Sequence, residues 1–267
     1  MSENDESPDP KEDPEGKPMG FLDHLEDLRW TLVKSVTTFG IFVALIAYFL
    51  KDVALLLKGP LLDAAESYPE LNAGLITTSP ISVFTVIIQV CLLGGLLMSL
   101  PFVLFFVGQF VTPALTAKEK RIVLPVALSA ILLFVGGAVF SYMLIVPSAL
   151  KVSMELNTLL GFQNLWSADR YYSMVVWLVL GLGAVFEFPL VIIILVYLGI
   201  VDVPKLKRSR KIMVVVFFIV AAIVTPTPDF ITQTLVALPL LVLYEISIIV
   251  AGFVEKRRVA ALEEPVE

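Results

Sequence analysis

The chain has 267 residues, 58% hydrophobic and 16% charged, with a formal net charge of −6 and a mean hydropathy of +0.90. Soluble domains carry about 25% charged residues, so these values argue against a globular enzyme and for an all-α polytopic membrane protein. The net charge belongs to the tails: residues 1–18 hold seven acids and two lysines, Glu263, Glu264 and Glu267 close the chain, and the remainder is near neutral. One cysteine, Cys91, and one histidine, His24, make no Cys/His cluster, so neither an intrachain disulfide nor a transition-metal site is expected.

The opening MSENDESPDPKEDPEGKP (1–18) is acidic, rich in proline and without an apolar core. It is expected to be a disordered tail, and neither a secretory signal nor a transit peptide, which points to a prokaryotic cell membrane and not a thylakoid. A membrane domain is expected over 19–253, followed by a cytoplasmic tail over 254–267. In MGFLDHLEDLRW (19–30), Phe21, Leu25 and Leu28 share a helical face with Leu32, while Asp23, Glu26, Asp27 and Trp30 lie mostly on the other. The pattern fits an amphipathic helix on the membrane surface, or a plain connector into the first span.

Six spans are predicted, at 31–50, 81–107, 122–146, 171–198, 211–225 and 230–253. The second would be about 40 Å long, more than the ~30 Å hydrocarbon core, so it must tilt, kink or protrude. The outer loops, 51–80 and 147–170, are semi-apolar and are expected to form short interfacial helices. The fourth span carries Glu187 in LGLGAVFEFPLVIIIL, about 24 Å beyond Tyr171 at helical rise. A carboxylate at mid-membrane costs ~2.5–3.5 kcal/mol on insertion and usually faces a partner or a wet cavity. Pro189 deprives the carbonyl of Val185 of its helical partner and is expected to kink the span. With Gly181 and Gly183 one turn above, the kink suggests a concave polar pocket; the alternative is a simple hydrogen bond between helices.

The fifth span is short, because only Ile212 to Val224 is uninterrupted and apolar, about 20 Å. It turns through TPTPD into FITQTL, so spans five and six make a hairpin that either crosses a thinned bilayer or re-enters. With both termini cytoplasmic, that side receives Lys11, Lys17, Arg29, Lys34, Lys118, Lys120, Arg121, Lys205, Lys207, Arg208, Arg210, Lys211, Lys256, Arg257 and Arg258. The outside then receives only Lys51, Lys58, Lys151 and Arg170, and this bias sets the orientation.

Carboxylates at the cytoplasmic face suit guanidinium groups, because an arginine–carboxylate pair is bidentate and directional. The candidates are Glu26 and Asp27 in the first segment and Glu119 in the first cytoplasmic loop. Singly, each is as well explained as a solvated charge, since exposed pairs contribute ~0–1 kcal/mol.

Together HLEDLR (24–29), FVTPALTAKEKR (110–121), FEFP (186–189) and TPTPDFITQTLVALPLLVLYE (225–245) resemble the TatC family, the core receptor of the twin-arginine protein translocase. The resemblance is collinear over residues 20–253. It implies a concave bundle of six spans that binds twin-arginine signal peptides and, with single-span TatA and TatB subunits and further copies of itself, exports folded proteins. The driving force would be the protonmotive force across the inner membrane, with no cofactor and no nucleic acid. It maps signal-peptide binding onto Asp27 and Glu119, with Leu25, Arg29 and Phe110 beside them. Pro60 matches a loop proline, Glu187 the buried acid of span four, and Asp229 and Gln233 polar positions near the last turn. The family usually has Glu where this chain has Asp27; Asp shortens the arm by one methylene, and Glu26 could share the task. The rival reading is a proton- or ion-coupled transporter of small solutes with Glu187, Asp229 and Glu245 as its relay.

Overall fold

The computed structural model describes residues 21–66, 74–111, 117–162, 165–226 and 229–263, and their side chains except at 21, 23, 111, 117–123 and 257–263. The expected acidic tail, 1–18, lies outside the described residues. In chain order the elements are α1 (Phe21–Tyr48), α2 (Leu50–Glu66), β1 (Leu75–Ile76), α3 (Pro80–Val111), α4 (Ala117–Phe140), a π-helical turn (Ser141–Ile145) and α5 (Val146–Leu160). There follow β2 (Trp166–Ser167), α6 (Ala168–Val185), α7 (Phe188–Tyr197), α8 (Val203–Val224) and α9 (Phe230–Glu263).

Among the described residues, five stretches are long and apolar enough to cross a membrane: His24–Tyr48, Pro80–Phe110, Leu124–Leu160, Ala168–Tyr197 and Phe230–Lys256. They match predicted spans one, two, three, four and six. The predicted fifth is α8, a helix of 22 residues whose first turns carry Lys205, Lys207, Arg208, Arg210 and Lys211, so only its second half is apolar. The segment read as a surface helix is the unbroken start of α1. At the other end α9 runs ten residues past Phe253 to Glu263, so the expected tail begins as a continuation of the last span.

Burial ranks the spans. The first has 6% of its most apolar window buried and the fourth 44%, so α1 is peripheral and α6 central. The core is built on α6 where it packs on α3 and α4, with Val90, Leu178 and Leu182 fully buried, and it extends to Leu150 of α5 and Val236 of α9, also fully buried. Two glycines set helix spacing. A Cβ on Gly95 of α3 would meet the backbone of Val43 at 3.1 Å, and one on Gly137 of α4 would meet the carbonyl of Leu182 at 2.8 Å. Any larger residue would push α1 off α3 or α4 off α6.

The outer loops form a cap, as their semi-apolar composition suggests, with α2 and α5 as its helices. The strands β1 and β2 pair in parallel, Leu75 with Trp166 and Ile76 with Ser167, and so lace the two loops together. Pro60, expected in a loop, is instead buried inside α2. Proline has no N–H for the carbonyl four residues back, here Leu56. Three tyrosines meet the carbonyls of that region: Tyr142 donates to Leu56, Tyr171 to Leu57 at 2.8 Å and Tyr172 to Ala54 at 2.9 Å. The π-helical turn carries Tyr142. There the amide of Val146 reaches back five residues to the carbonyl of Ser141, immediately before Pro147, which cannot donate at all.

Span four breaks as expected, at Phe186–Glu187 between α6 and α7. Pro189 sits in the first turn of α7, where its missing donor is harmless. Glu187 instead bonds its amide to Ala184, a tighter i−3 pattern at 3.1 Å. The hairpin of α8 and α9 is antiparallel. Val203 donates to Glu255 at 3.3 Å, Tyr244 to the carbonyl of Leu206 at 2.9 Å, and the ring of Phe217 packs on Tyr244. The last residue of α8, Val224, reaches the level of Trp177, whose indole N–H donates to its carbonyl at 3.1 Å. That is nine residues, about 14 Å, short of the start of α6.

Candidate functional site

The start of α1 lies beside the end of α3. The imidazole of His24 stacks on the ring of Phe110, with centroids 4.4 Å apart and planes 15° from parallel. Asp27 follows His24 by three residues and so lies on the same helical face, and it is half-buried. Glu26 is turned about 200° from His24 at 100° per residue and is exposed. Of the two neighbouring acids, Asp27 therefore faces α3 and Glu26 faces away.

Leu25 and Arg29 are exposed and Phe110 is half-buried. Arg29 lies over the indole of Trp30, 5.5 Å from the ring centroid, so its charge is steadied by the ring face. Glu119 belongs to the first turn of α4, where a negative charge is favoured by the helix dipole; its side chain is outside the described residues. The chain passes from Val111 to Ala117 in six steps, so the acid-bearing ends of α1 and α4 share one end of the bundle, opposite the cap. His24 is the residue that sequence reasoning missed. Its i, i+3 spacing to Asp27 was the available signal, but nothing local pointed to Phe110.

Glu187 is half-buried, and its carboxyl lies against the backbone of Phe134 in α4. The surrounding contacts are close: the ring of Phe134 would meet a Cβ on Gly183 at 3.0 Å, and Phe186 stacks obliquely on Phe140 at 5.6 Å. The hairpin runs past this level, since Phe188 meets Phe217 of α8 at 5.5 Å. Its shortfall thus lies above Glu187, nearer the cap.

The remaining polar candidates separate. Asp229 caps α9, its Oδ1 accepting from the amide of Thr232 at 2.6 Å, which meets one of the helix's free N-terminal donors. Gln233 lies one turn on and is half-buried. Glu245, a member of the rival relay, pairs with Arg210 of α8 at 2.7 Å. Half of each side chain is exposed, so the pair clasps the hairpin at its surface. The site as a whole offers fixed anions at one membrane face and one isolated acid deep in the bundle.

Comparison with known proteins gives the same family at every level. The family model described as "Sec-independent protein translocase protein (TatC)" matches residues 23–239. The Sec-independent protein translocase protein TatC of Aquifex aeolicus (strain VF5) is 38% identical over 245 residues, covering 90% of this chain and 98% of that protein. The protein of the same description from Koribacter versatilis (strain Ellin345) is 33% identical over 249 residues, covering 90% and 88%. A solved structure described as "Crystal Structure of Twin Arginine Translocase Receptor- TatC in DDM" superposes with a TM-score of 0.71 at 39% identity, covering 85% of this chain and 99% of that one.

Proposed function

The chain belongs to the TatC family, and from that premise we propose that it is the membrane receptor and core subunit of a twin-arginine translocase. It binds twin-arginine signal peptides at the cytoplasmic face of a prokaryotic inner membrane, with both of its termini on that side. Asp27 and Glu119 are the two anionic acceptors, one for each arginine. Leu25 and Phe110 supply an apolar rim, and Arg29 and Glu26 border it. With single-span TatA and TatB subunits and further copies of itself, it moves folded proteins outward, driven by the protonmotive force. Glu187, Asp229 and Gln233 serve the later, intramembrane stage as polar contacts to partners.

One observation carries the assignment of the receptor face. The His24–Phe110 stack joins the start of α1 to the end of α3, and the first turn of α4 follows Val111 within six residues, which supports reading Asp27 and Glu119 as acids of one membrane face. Two guanidinium groups on an extended peptide need such a pair of fixed carboxylates, and each charge-assisted hydrogen bond contributes ~1.5–3 kcal/mol. Lysine is a poorer fit, since it cannot span a carboxylate bidentately.

The test is binding of a signal peptide to the full-length chain in lipid nanodiscs, comparing Arg-Arg with Lys-Lys versions. A preference for Arg-Arg that disappears in Glu119→Ala is expected. Equal binding of both peptides to the unaltered chain would overturn the proposal.

A further inference from the structure

Above the truncated hairpin, the structure leaves an open slot of about 450 Å³ between α5, the start of α6 and the α8–α9 turn. Such a volume is in the range of small-molecule sites. One stripe of α6 forms its wall. Arg170, Met174 and Trp177 follow at helical spacing, each about one turn below the last. Trp177 marks the end of α8, through its bond to the carbonyl of Val224. Met174 and Arg170, higher on the same stripe, line the slot, and Pro226 contributes from the turn below.

The lining is mixed in polarity. Arg170 and Ser153 line it nearer the cap, beside Leu165 and Trp166, and Met174 and Pro226 line it toward the hairpin. Arg170 is exposed, and among the described residues no carboxylate lies within ion-pair distance of it. The neighbouring Asp169 feels the charge of Arg170 but is held by a hydrogen bond that it accepts from Ser167. Trp166, also in the lining, belongs to the residue type that sits at the level of lipid headgroups.

We propose that this slot is a phospholipid site in the leaflet at the capped end of the bundle. The lipid phosphate is held on the guanidinium of Arg170, and the start of an acyl chain lies against Met174 and Pro226. Arginine matches phosphate bidentately, and basic pockets between membrane helices hold lipid headgroups by this chemistry. A free phosphate ion would satisfy Arg170 but leave the apolar lower part of the slot uncovered. An amphiphile satisfies both ends.

Native mass spectrometry of the full-length protein in detergent, titrated with phosphatidylglycerol after delipidation, tests this. The unaltered chain should hold one lipid tightly. Arg170→Gln, an exposed change that should leave the melting temperature in place, should weaken that binding about tenfold or more. Lys151→Gln, at another exposed cation on the same side, should bind as the unaltered chain does. Inorganic phosphate at millimolar concentration should not displace the lipid. Unchanged binding in Arg170→Gln would overturn the site, and equal weakening by Lys151→Gln would reduce it to diffuse surface charge. Displacement by inorganic phosphate would make it a site for a free anion and overturn the lipid assignment.

Discussion

Tyr142 donates its hydroxyl to the carbonyl of Leu56, the acceptor that Pro60, four residues on in α2, has no amide to serve. The proline and the tyrosine are thus one device. Proline opens the helix, and a side chain from the π-helical turn of the third span fills the gap. Leu57 and Ala54, beside it, are met by Tyr171 and Tyr172. The cap is thereby hung on the central helix α6 by backbone acceptors, in addition to apolar packing.

Removing one partner of this device should show the coupling. Tyr142→Phe leaves the Leu56 carbonyl unpaired, at a cost of ~1–3 kcal/mol. In a Pro60→Ala background, the restored amide can serve Leu56, so the same change should cost less by about 0.5 kcal/mol or more. Thermal unfolding of the four proteins in detergent measures the cycle. Strict additivity would mean that the proline and the tyrosine are independent.

The Arg210–Glu245 pair separates the clasp from a relay. Both side chains are half exposed, so Glu245→Gln should change stability by no more than about 1 kcal/mol. It should also leave export of a twin-arginine cargo close to the unaltered level. Loss of export in a stably folded Glu245→Gln protein would return Glu245 to the list of working residues.

Much of the fold is legible in the sequence because a membrane leaves few choices. Every backbone polar group must be satisfied within the segment, so runs such as Ile81 to Val107 can only be helices. The break in span four is legible for a similar reason: Pro189 cannot continue the ladder. The π-helical turn at Ser141, the tyrosine ties and the His24–Phe110 stack are not legible. Tyr142 and Leu56 are 86 residues apart, and Tyr172 and Ala54 are 118 apart; no local pattern encodes such contacts. Pro60 is visible as a helix breaker, yet its placement inside α2 depends on hydroxyls that arrive from elsewhere. At the site, the resemblance favours Asp27 but leaves Glu26 able to share the task, and it is the half-burial of Asp27 beside α3 that separates the two.

The proposed orientation, with both termini cytoplasmic, rests on the bias of basic residues and can be read by labelling. In a Cys91→Ala background, a cysteine at Leu159, which is 79% exposed at the end of α5, should react with an impermeant maleimide in sealed cells. One at Lys207, exposed near the start of α8, should react only after lysis. The reverse pattern would invert the topology and move the acids of α1 and α4 to the wrong face for a cytoplasmic receptor.

The burial difference between the two acids of α1 makes a sharp contrast. Asp27 faces α3 and Glu26 faces solvent, so Asp27→Ala should weaken binding of an Arg-Arg signal peptide about tenfold or more, from the loss of ~1.5–3 kcal/mol of charge-assisted bonding. Glu26→Ala should weaken it by less than about threefold, as expected of an exposed charge. Asp27→Glu should bind as the unaltered chain does, because it restores the longer arm usual in the family. Peptide titration by fluorescence anisotropy distinguishes these, and a larger effect from Glu26→Ala would exchange the two roles.

Glu187 is the acid whose position is hardest to explain by folding alone. It lies twenty residues into the stretch Ala168–Tyr197, too deep for its side chain to reach either surface, and an acid there costs ~2.5–3.5 kcal/mol on insertion. Against that it has the backbone of Phe134, a contact any amide side chain would make as well. If that contact were its whole purpose, Glu187→Gln would be equivalent in every assay and Glu187→Leu would be poorly folded. We expect otherwise. Glu187→Leu should melt within a few degrees of the unaltered protein, because leucine removes the desolvated acid along with its hydrogen bond. It should bind signal peptide normally, since the receptor acids lie at the end of the bundle. Export of folded cargo and recruitment of TatA and TatB should nevertheless fall by about tenfold or more, which corresponds to one lost charge-assisted contact of ~1.5–3 kcal/mol with a partner helix. The measurement that decides is the pair of binding and export assays on the same Glu187→Leu preparation. Loss of both, in a protein that melts early, would leave Glu187 as a structural tie to α4 and nothing more.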